Sequence, residues 1–188
     1  DGNRYLDFAG GIGCLNVGHA HEAVVKAASA QLARFTHTSF NVVPYESYVA
    51  LAERLNRLTP GSGPKKTFFV NSGAEAVETA IKAVRKWGYE VKGVEENRAE
   101  IIVCEGNFHG RTISIVSFSD DPQYRDGFGP FTPGFKLVPY GDLAALERAI
   151  GPNTVGFLVE PIQGEGGIVV PPAGFLKSAR ELCRRERV

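Results

Sequence analysis

Apolar and polar positions along the chain follow two rhythms in succession. A short alternation at Tyr5-Leu6-Asp7-Phe8 predicts a strand, and Gly10, Gly11, Gly13 and Gly18 predict a flexible loop after it. Val24, Val25, Ala28, Leu32 and Phe35 then recur at helical spacing, so a helix is expected over residues 21–35. A second is expected over residues 45–58, with Pro44 just before it and Pro60 just after it. The turn formers Gly61-Ser62-Gly63-Pro64 mark a boundary between an N-terminal segment, residues 1–60, and the remainder, residues 61–188.

From Lys65 onward, short apolar runs alternate with amphipathic stretches. Thr67-Phe68-Phe69-Val70, Ile101-Ile102-Val103-Cys104 and residues 155–159 read as strands buried on both faces, which are apolar throughout rather than alternating. Ile113-Ser114-Ile115-Val116 is expected to extend that layer after a turn. Helices are expected over residues 72–87, with Ala76, Ala80 and Val84 on one face, over residues 142–150 and over residues 172–185. Strand–helix alternation of this kind predicts an α/β fold with a mainly parallel sheet.

Composition narrows the class without changing the fold. With 43% apolar residues, 188 residues can bury a substantial core. Twenty-one basic and 21 acidic residues cancel, so the chain lacks the electrostatic footprint of a nucleic-acid binder. Its apolar runs are too short to span a bilayer, and no signal-peptide pattern opens it. Cys14, Cys104 and Cys183 are odd in number and without paired spacing, as expected of a reducing, cytoplasmic compartment. No cysteine or carboxylate spacing completes a metal set around His19, His21, His37 or His109, so no metal is expected. The sequence contains no methionine and opens directly on a turn, so it reads as a piece of a longer protein.

Three loops carry candidate chemistry, each after an expected strand. In Val70-Asn71-Ser72-Gly73-Ala74-Glu75-Ala76 the start of a helix offers free N–H groups and a favourable dipole to an anion. Gly73 leaves room for a phosphate and Ser72 adds a hydroxyl. An ordinary N-cap, with Ser72 and Glu75 forming a capping box, satisfies the same pattern. Glu105-Gly106-Asn107-Phe108-His109-Gly110-Arg111-Thr112 gathers a ring that can stack on a heterocycle and a guanidinium that can grip a carboxylate. A surface turn with Phe108 tucked into the core is its alternative. Glu160-Pro161-Ile162-Gln163-Gly164-Glu165 sets two carboxylates and an amide where ligands collect on α/β sheets, and solvated acids in a turn-rich loop are the other reading.

Taken together and in this order, Asn71-Ser72-Gly73-Ala74-Glu75-Ala76, Phe108-His109-Gly110-Arg111-Thr112 and Glu160-Pro161-Ile162-Gln163-Gly164-Glu165 resemble the class III aminotransferases of fold type I. The resemblance runs through essentially the whole chain and is strongest to enzymes acting on ornithine or 4-aminobutyrate. It implies a partial large domain that binds pyridoxal 5'-phosphate, with an N-terminal segment on the small-domain side. It also implies a homodimer and small-molecule substrates, an ω-amino acid and a 2-oxoacid such as 2-oxoglutarate. Ser72, Gly73 and Ala74 resemble the donors to the cofactor phosphate. Phe108 resembles the aromatic stacked on the pyridine ring, with His109 beside it. Arg111 is similar to the arginine that binds a substrate carboxylate, and Glu165 to a glutamate that pairs with a second, distant arginine. Glu160 and Gln163 would form the cofactor's surroundings. The family's Schiff-base lysine and pyridine-nitrogen aspartate would lie beyond Val188, so no catalytic residue is expected in this chain and the chain alone is expected to be inactive.

The donor stays open between the two substrates. The first stretch, residues 5–40, looks like 4-aminobutyrate enzymes, and Ile12 stands where ornithine enzymes carry a substrate-orienting tyrosine. The stretch from residue 85 through residue 131 looks like ornithine enzymes. Two further readings are a phosphate- or nucleotide-binding module without catalysis, built on Ser72-Gly73, and a dimerisation piece. The first lacks both a Gly-Lys-Ser/Thr ending and a dinucleotide glycine pattern.

Overall fold

Three short apolar strands, β1 (Glu100–Cys104), β2 (Phe135–Val138) and β3 (Thr154–Leu158), pair side by side in the order β2-β1-β3, both pairings parallel. The central strand explains its own composition. Ile101 and Val103 face one side and Ile102 and Cys104 the other, and all four are buried, because a parallel sheet is covered on both faces. On the first face they meet Ile81 of helix α4 (Gly73–Trp87), Ile115, Phe118 and Val155. On the second they meet Leu146 of α7 (Leu143–Ala149) and Phe175, Ala179 and Leu182 of α8 (Phe175–Glu186).

This computed structural model describes all 188 residues, in two compact units, Asp1–Phe68 and Phe69–Val188. The second unit holds the sheet. Between α4 and the sheet the backbone comes close. A Cβ on Gly88, in the π-helical turn Gly88–Lys92, would lie 2.3 Å from Val155 Cγ1, and one on Gly156 would lie 2.7 Å from Val84 Cγ1. An apolar groove of about 580 Å³ runs along β3 between α4 and α8, lined by Ile81, Val84, Val155, Phe157, Ala179 and Cys183 among others.

The first unit is built differently. A distorted turn, α1 (Gly10–Gly13), has positive φ at Gly11 and Ile12 and is followed by helices α2 (Glu22–Arg34) and α3 (Glu46–Leu58). Phe35, Phe40, Tyr45 and Tyr48 form an aromatic cluster in which Phe40 and Tyr48 stack at 3.9 Å between centroids. The segment before Phe68 is tied to α3 by Thr67, whose hydroxyl donates to Asn56 Oδ1 at 2.8 Å. No side chain in this unit is buried. Val24, Val25, Leu32, Leu51 and Leu58 all stand open on its helices.

The structure corrects several expectations. Residues 5–8 form no strand. They have no ladder partner, and Asp7 instead accepts from Gly10 N at 2.9 Å and pairs with His19 at 2.7 Å, closing a turn. Residues 67–70 likewise form no strand of the sheet, which ends at β2 and β3. Ile113-Ser114-Ile115-Val116 is a single helical turn, α5 (Ile113–Val116), not a strand. Ile115 is buried while Ile113 is exposed, the opposite of the period-two pattern, and Ser117 donates back to the Ile113 carbonyl. The face of α4 is also rotated. Ala76 and Ala80 are exposed, and the helix packs through Ala74, Val77, Ile81 and Val84. Strand β2 and the one-turn helix α6 (Pro122–Arg125) were not legible as elements, because each is only four residues long. No helix is long and apolar enough to cross a membrane.

Candidate functional site

Because β1 and β3 run parallel, the loops that follow them emerge at the same end of the sheet. The loop after β1 begins at Glu105, whose carbonyl accepts from Gln163 Nε2 at 2.7 Å, so the first and last of these loops are joined at their roots. Gly106 N then donates to both carboxylate oxygens of Asp120, at 3.0 and 2.8 Å. Asn107 is buried and its amide bridges the carbonyls of Cys104 and Phe118, at 2.7 and 3.1 Å. These bonds satisfy the turn's polar groups inside the protein and hold it in one shape.

Phe108 is fixed at both ends. Its N–H donates to Glu160 Oε2 at 3.1 Å, and its ring lies 5.6 Å from Tyr124. Burial pushes the Glu160 carboxyl up; the N–H groups of Phe108 and Gly164 oppose that, and the neighbouring Glu165 adds to it. Glu160 is held from the other side by its own carbonyl, which accepts from the Tyr140 hydroxyl at 3.0 Å. Glu165 itself stands exposed.

His109 turns inward, 5.9 Å from the Phe118 ring, and its Nε2 is buried without a hydrogen-bond partner. Burial holds its pKa below the usual histidine value, so it is neutral near pH 7. Gly110 follows with φ +125°, and a Cβ there would lie 2.8 Å from the Ala74 Cβ. The loop is thereby pressed onto the first turn of α4, and the Thr112 hydroxyl donates to Glu78 of the same helix. Neither Glu160 to Phe108 nor Thr112 to Glu78 was anticipated, since such long-range pairs leave no local spacing to read.

At the start of α4, Ser72 Oγ accepts from Glu75 N at 3.1 Å and the Glu75 carboxylate accepts from Asn71 N at 2.6 Å. The capping box is therefore formed. It does not exhaust the helix start. The N–H groups of Gly73 and Ala74 belong to the first turn and have no intrahelical acceptor. The Ser72 hydroxyl keeps its own proton to donate, and nothing lies within 4 Å of where a Cβ on Gly73 would be.

Arg111 is exposed, its guanidinium 5.1 Å from the Phe108 ring centroid and 5.4 Å from that of Tyr124. It takes part in none of the chain's salt bridges. Beside it opens a cavity of about 310 Å³ lined by Arg111, Ile113, Val116, Gln123, Tyr124 and Phe128. The structure thus brings Ser72, Gly73, Ala74, Phe108, His109, Arg111 and the Glu160 loop to one end of one unit. Ile12 belongs to the other unit, where it lies on the α1 turn with φ 51° and is 80% exposed. No group of three or more His, Cys, Asp or Glu side chains is gathered at metal-binding distance.

Comparison with known proteins gives this arrangement a context. The chain is 52% identical over its full length to the ornithine aminotransferase of Brevibacillus brevis, spanning 46% of that protein. It is 53% identical over 182 residues to that of Bordetella pertussis, spanning 43% of it. The chain thus spans under half the length of these relatives. Among solved structures, the ornithine aminotransferase of Toxoplasma gondii superposes with a TM-score of 0.92 at 43% identity, covering 99% of this chain and 43% of that one. That structure carries PLP at partial occupancy in its active site. The acetylornithine aminotransferase of Elizabethkingia anophelis superposes with a TM-score of 0.76 at 48% identity, covering 98% of this chain and 44% of that one. The family model for class-III aminotransferases matches residues 1–188 from end to end, and with the three loops gathered at one end of a parallel sheet it is to the class-III aminotransferase family that this chain belongs.

Proposed function

We propose that the full-length protein transfers the amino group of ornithine to a 2-oxoacid such as 2-oxoglutarate, using pyridoxal 5'-phosphate, and that residues 61–188 contribute to the cofactor site. The observation that carries this reading is the junction of loops at the α4 start. There free N–H groups, an aromatic ring and an unpaired guanidinium lie together at one end of the sheet. Relatives at 52% and 53% identity, both ornithine aminotransferases, support the choice of donor. Ile12 favours 4-aminobutyrate as the second reading, because an apolar residue there cannot orient the substrate by hydrogen bonding as a tyrosine can.

The residues present fit the cofactor. A phosphate dianion suits the Gly73 and Ala74 N–H groups, the Ser72 hydroxyl and the positive end of a 15-residue helix, and the bare Gly73 leaves it room. The half-buried Phe108 ring would flank the heterocycle, with the neutral His109 behind it. Arg111 would hold the substrate carboxylate in a two-pronged grip. Glu165 would pair with an arginine from elsewhere in the full-length protein. Pyridoxal phosphate supplies the electron sink and the carbon that receives and returns the amino group. The chain's own part is to bind, orient and screen, and no catalytic lysine is assigned within it.

A homodimer is part of this proposal. The unit Asp1–Phe68 buries none of its side chains, and the apolar residues on α2 and α3 need a covering surface that a second copy would provide. All three cysteines are free, which supports a cytoplasmic setting. The reading is tested by incubating the full-length protein with pyridoxal phosphate, ornithine and 2-oxoglutarate. Glutamate should accumulate, and its absence under conditions where the cofactor is bound would refute the assignment.

A further inference from the structure

Arg111 is held by aromatic faces and by no carboxylate. Its guanidinium carbon lies 5.1 Å from the Phe108 ring centroid and 5.4 Å from that of Tyr124, and the two rings lie 5.6 Å apart. A guanidinium held by ring faces needs no acidic acceptor, so no carboxylate of the chain occupies its five N–H donors. Ring contacts therefore fix the position of the group without consuming the donors that a carboxylate needs. An acidic partner would fix it equally well but would occupy those donors and cancel its charge.

Phe108 already has a place in the loop after β1. Tyr124 comes from elsewhere in the chain, and its own setting is rigid. It lies in the one-turn helix α6, whose N-cap Asp121 accepts from Gln123 N at 2.8 Å and whose first residue is Pro122. The Tyr124 N–H donates to the Asp121 carbonyl at 3.0 Å. The next residue, Arg125, is anchored by donating to the Ser119 carbonyl at 3.0 Å and by lying 4.4 Å from the Phe131 ring. The tyrosine is half-buried and lines the 310 Å³ cavity that Arg111 also lines.

We propose that Tyr124 is the positioning residue for Arg111, holding its guanidinium over a π face so that the in-plane donors meet an incoming carboxylate. The inference rests on the reading of Arg111 as the carboxylate-binding arginine. It adds a residue from a different segment, acting through the face of its ring and not through its hydroxyl. Tyr124→Phe should therefore be silent. Tyr124→Leu keeps apolar bulk but removes the π face, and should weaken carboxylate binding about two- to fivefold, the range expected for a cation–π contact near the surface. Because uniform binding is lost, KM for the amino acid should rise by that factor while kcat holds.

The test uses the full-length protein with bound cofactor and two readouts. One is turnover with ornithine and 2-oxoglutarate. The other is calorimetric titration with glutarate, a dicarboxylate that has no amino or oxo group to react. The expected result is weaker glutarate binding in Tyr124→Leu, unchanged binding in Tyr124→Phe, and an unchanged melting temperature in both. If the wild type fails to turn over but glutarate binding still separates Leu from Phe, the enzymatic reading falls and the positioning role stands. Glutarate affinity unchanged in Tyr124→Leu, absent from the wild type, or lost equally in Tyr124→Phe would overturn the proposal. If Tyr124→Leu melts early, Tyr124→Met offers an unbranched, adaptable apolar side chain that also lacks the π face, and the same comparison with Phe decides.

Discussion

At the scale of single residues, burial sets the state of two titratable groups of the site, His109 and Glu160. His109 is the clearest, with a buried Nε2 that finds no partner and a pKa held down by desolvation. The sign of its effect on stability follows directly. Unfolded, the imidazole binds a proton near its ordinary value of 6.5, while folded it resists until a lower pH. Its contribution is therefore intact above about pH 6.5 and is lost as pH falls toward the folded pKa. Urea unfolding of the wild type and His109→Gln between about pH 7.5 and about pH 5.5 should show the wild type losing more stability over that range. Parallel curves would mean that His109 is not desolvated. In the sequence, the Phe108-His109-Gly110-Arg111 run could be read as chemistry because its residue types are unusual side by side. Tyr124 was passed over, although Asp121-Pro122 ahead of it is a readable cap-and-N1 signature of a helical turn.

At the scale of elements, the first turn of α4 is where the loops converge, and two substitutions there should behave differently. Ser72→Ala removes the cap to Glu75 N and should cost about 1 kcal/mol of stability. Gly110→Ala places a methyl against Ala74 at a φ that L residues rarely adopt, and should cost about 1–3 kcal/mol. Beyond stability, Gly110→Ala should push the loop off the helix start and weaken pyridoxal phosphate binding in the full-length protein. Thermal melts with and without cofactor separate the two effects. A Gly110→Ala protein as stable as wild type would show that the close approach is not there. Long elements were legible in the sequence because α2, α3, α4 and α8 each repeat the helical period several times. Their faces were less so. Ala76 and Ala80 share a face by spacing, yet alanine is equally content exposed, and Ile81 and Val77 decide the packing. In the same way Ile113 and Val116 are β-branched, but the Ser117 back-bond and the burial of Ile115 favour one helical turn. Strand β2 escaped notice because four residues, one of them Lys136, carry too little pattern.

At the scale of the whole molecule, the α/β class and the parallel sheet were expected from strand–helix alternation, and the order β2-β1-β3 was not, since pairing order leaves no mark on local sequence. Strand β3 is an edge strand flanked by an apolar groove of about 580 Å³, and the unit Asp1–Phe68 has no buried side chain. Both features predict that the 188-residue chain, prepared by itself, associates with rising concentration, which sedimentation velocity would reveal. Purified in this form it should also show no transamination, because no lysine within it matches the family's covalent anchor. A single monomeric species at all concentrations, or turnover by this chain, would contradict these expectations.

Amino transfer with ornithine as donor is tested by comparing two donors in the full-length protein. Initial rates of glutamate formation from 2-oxoglutarate would be measured with ornithine and with 4-aminobutyrate. We predict a kcat/KM at least about tenfold higher for ornithine, a difference of about 1.4 kcal/mol in transition-state binding. Preference for 4-aminobutyrate would mean that Ile12 outweighs the rest of the chain, and glutamate from neither donor would contradict amino transfer from ornithine.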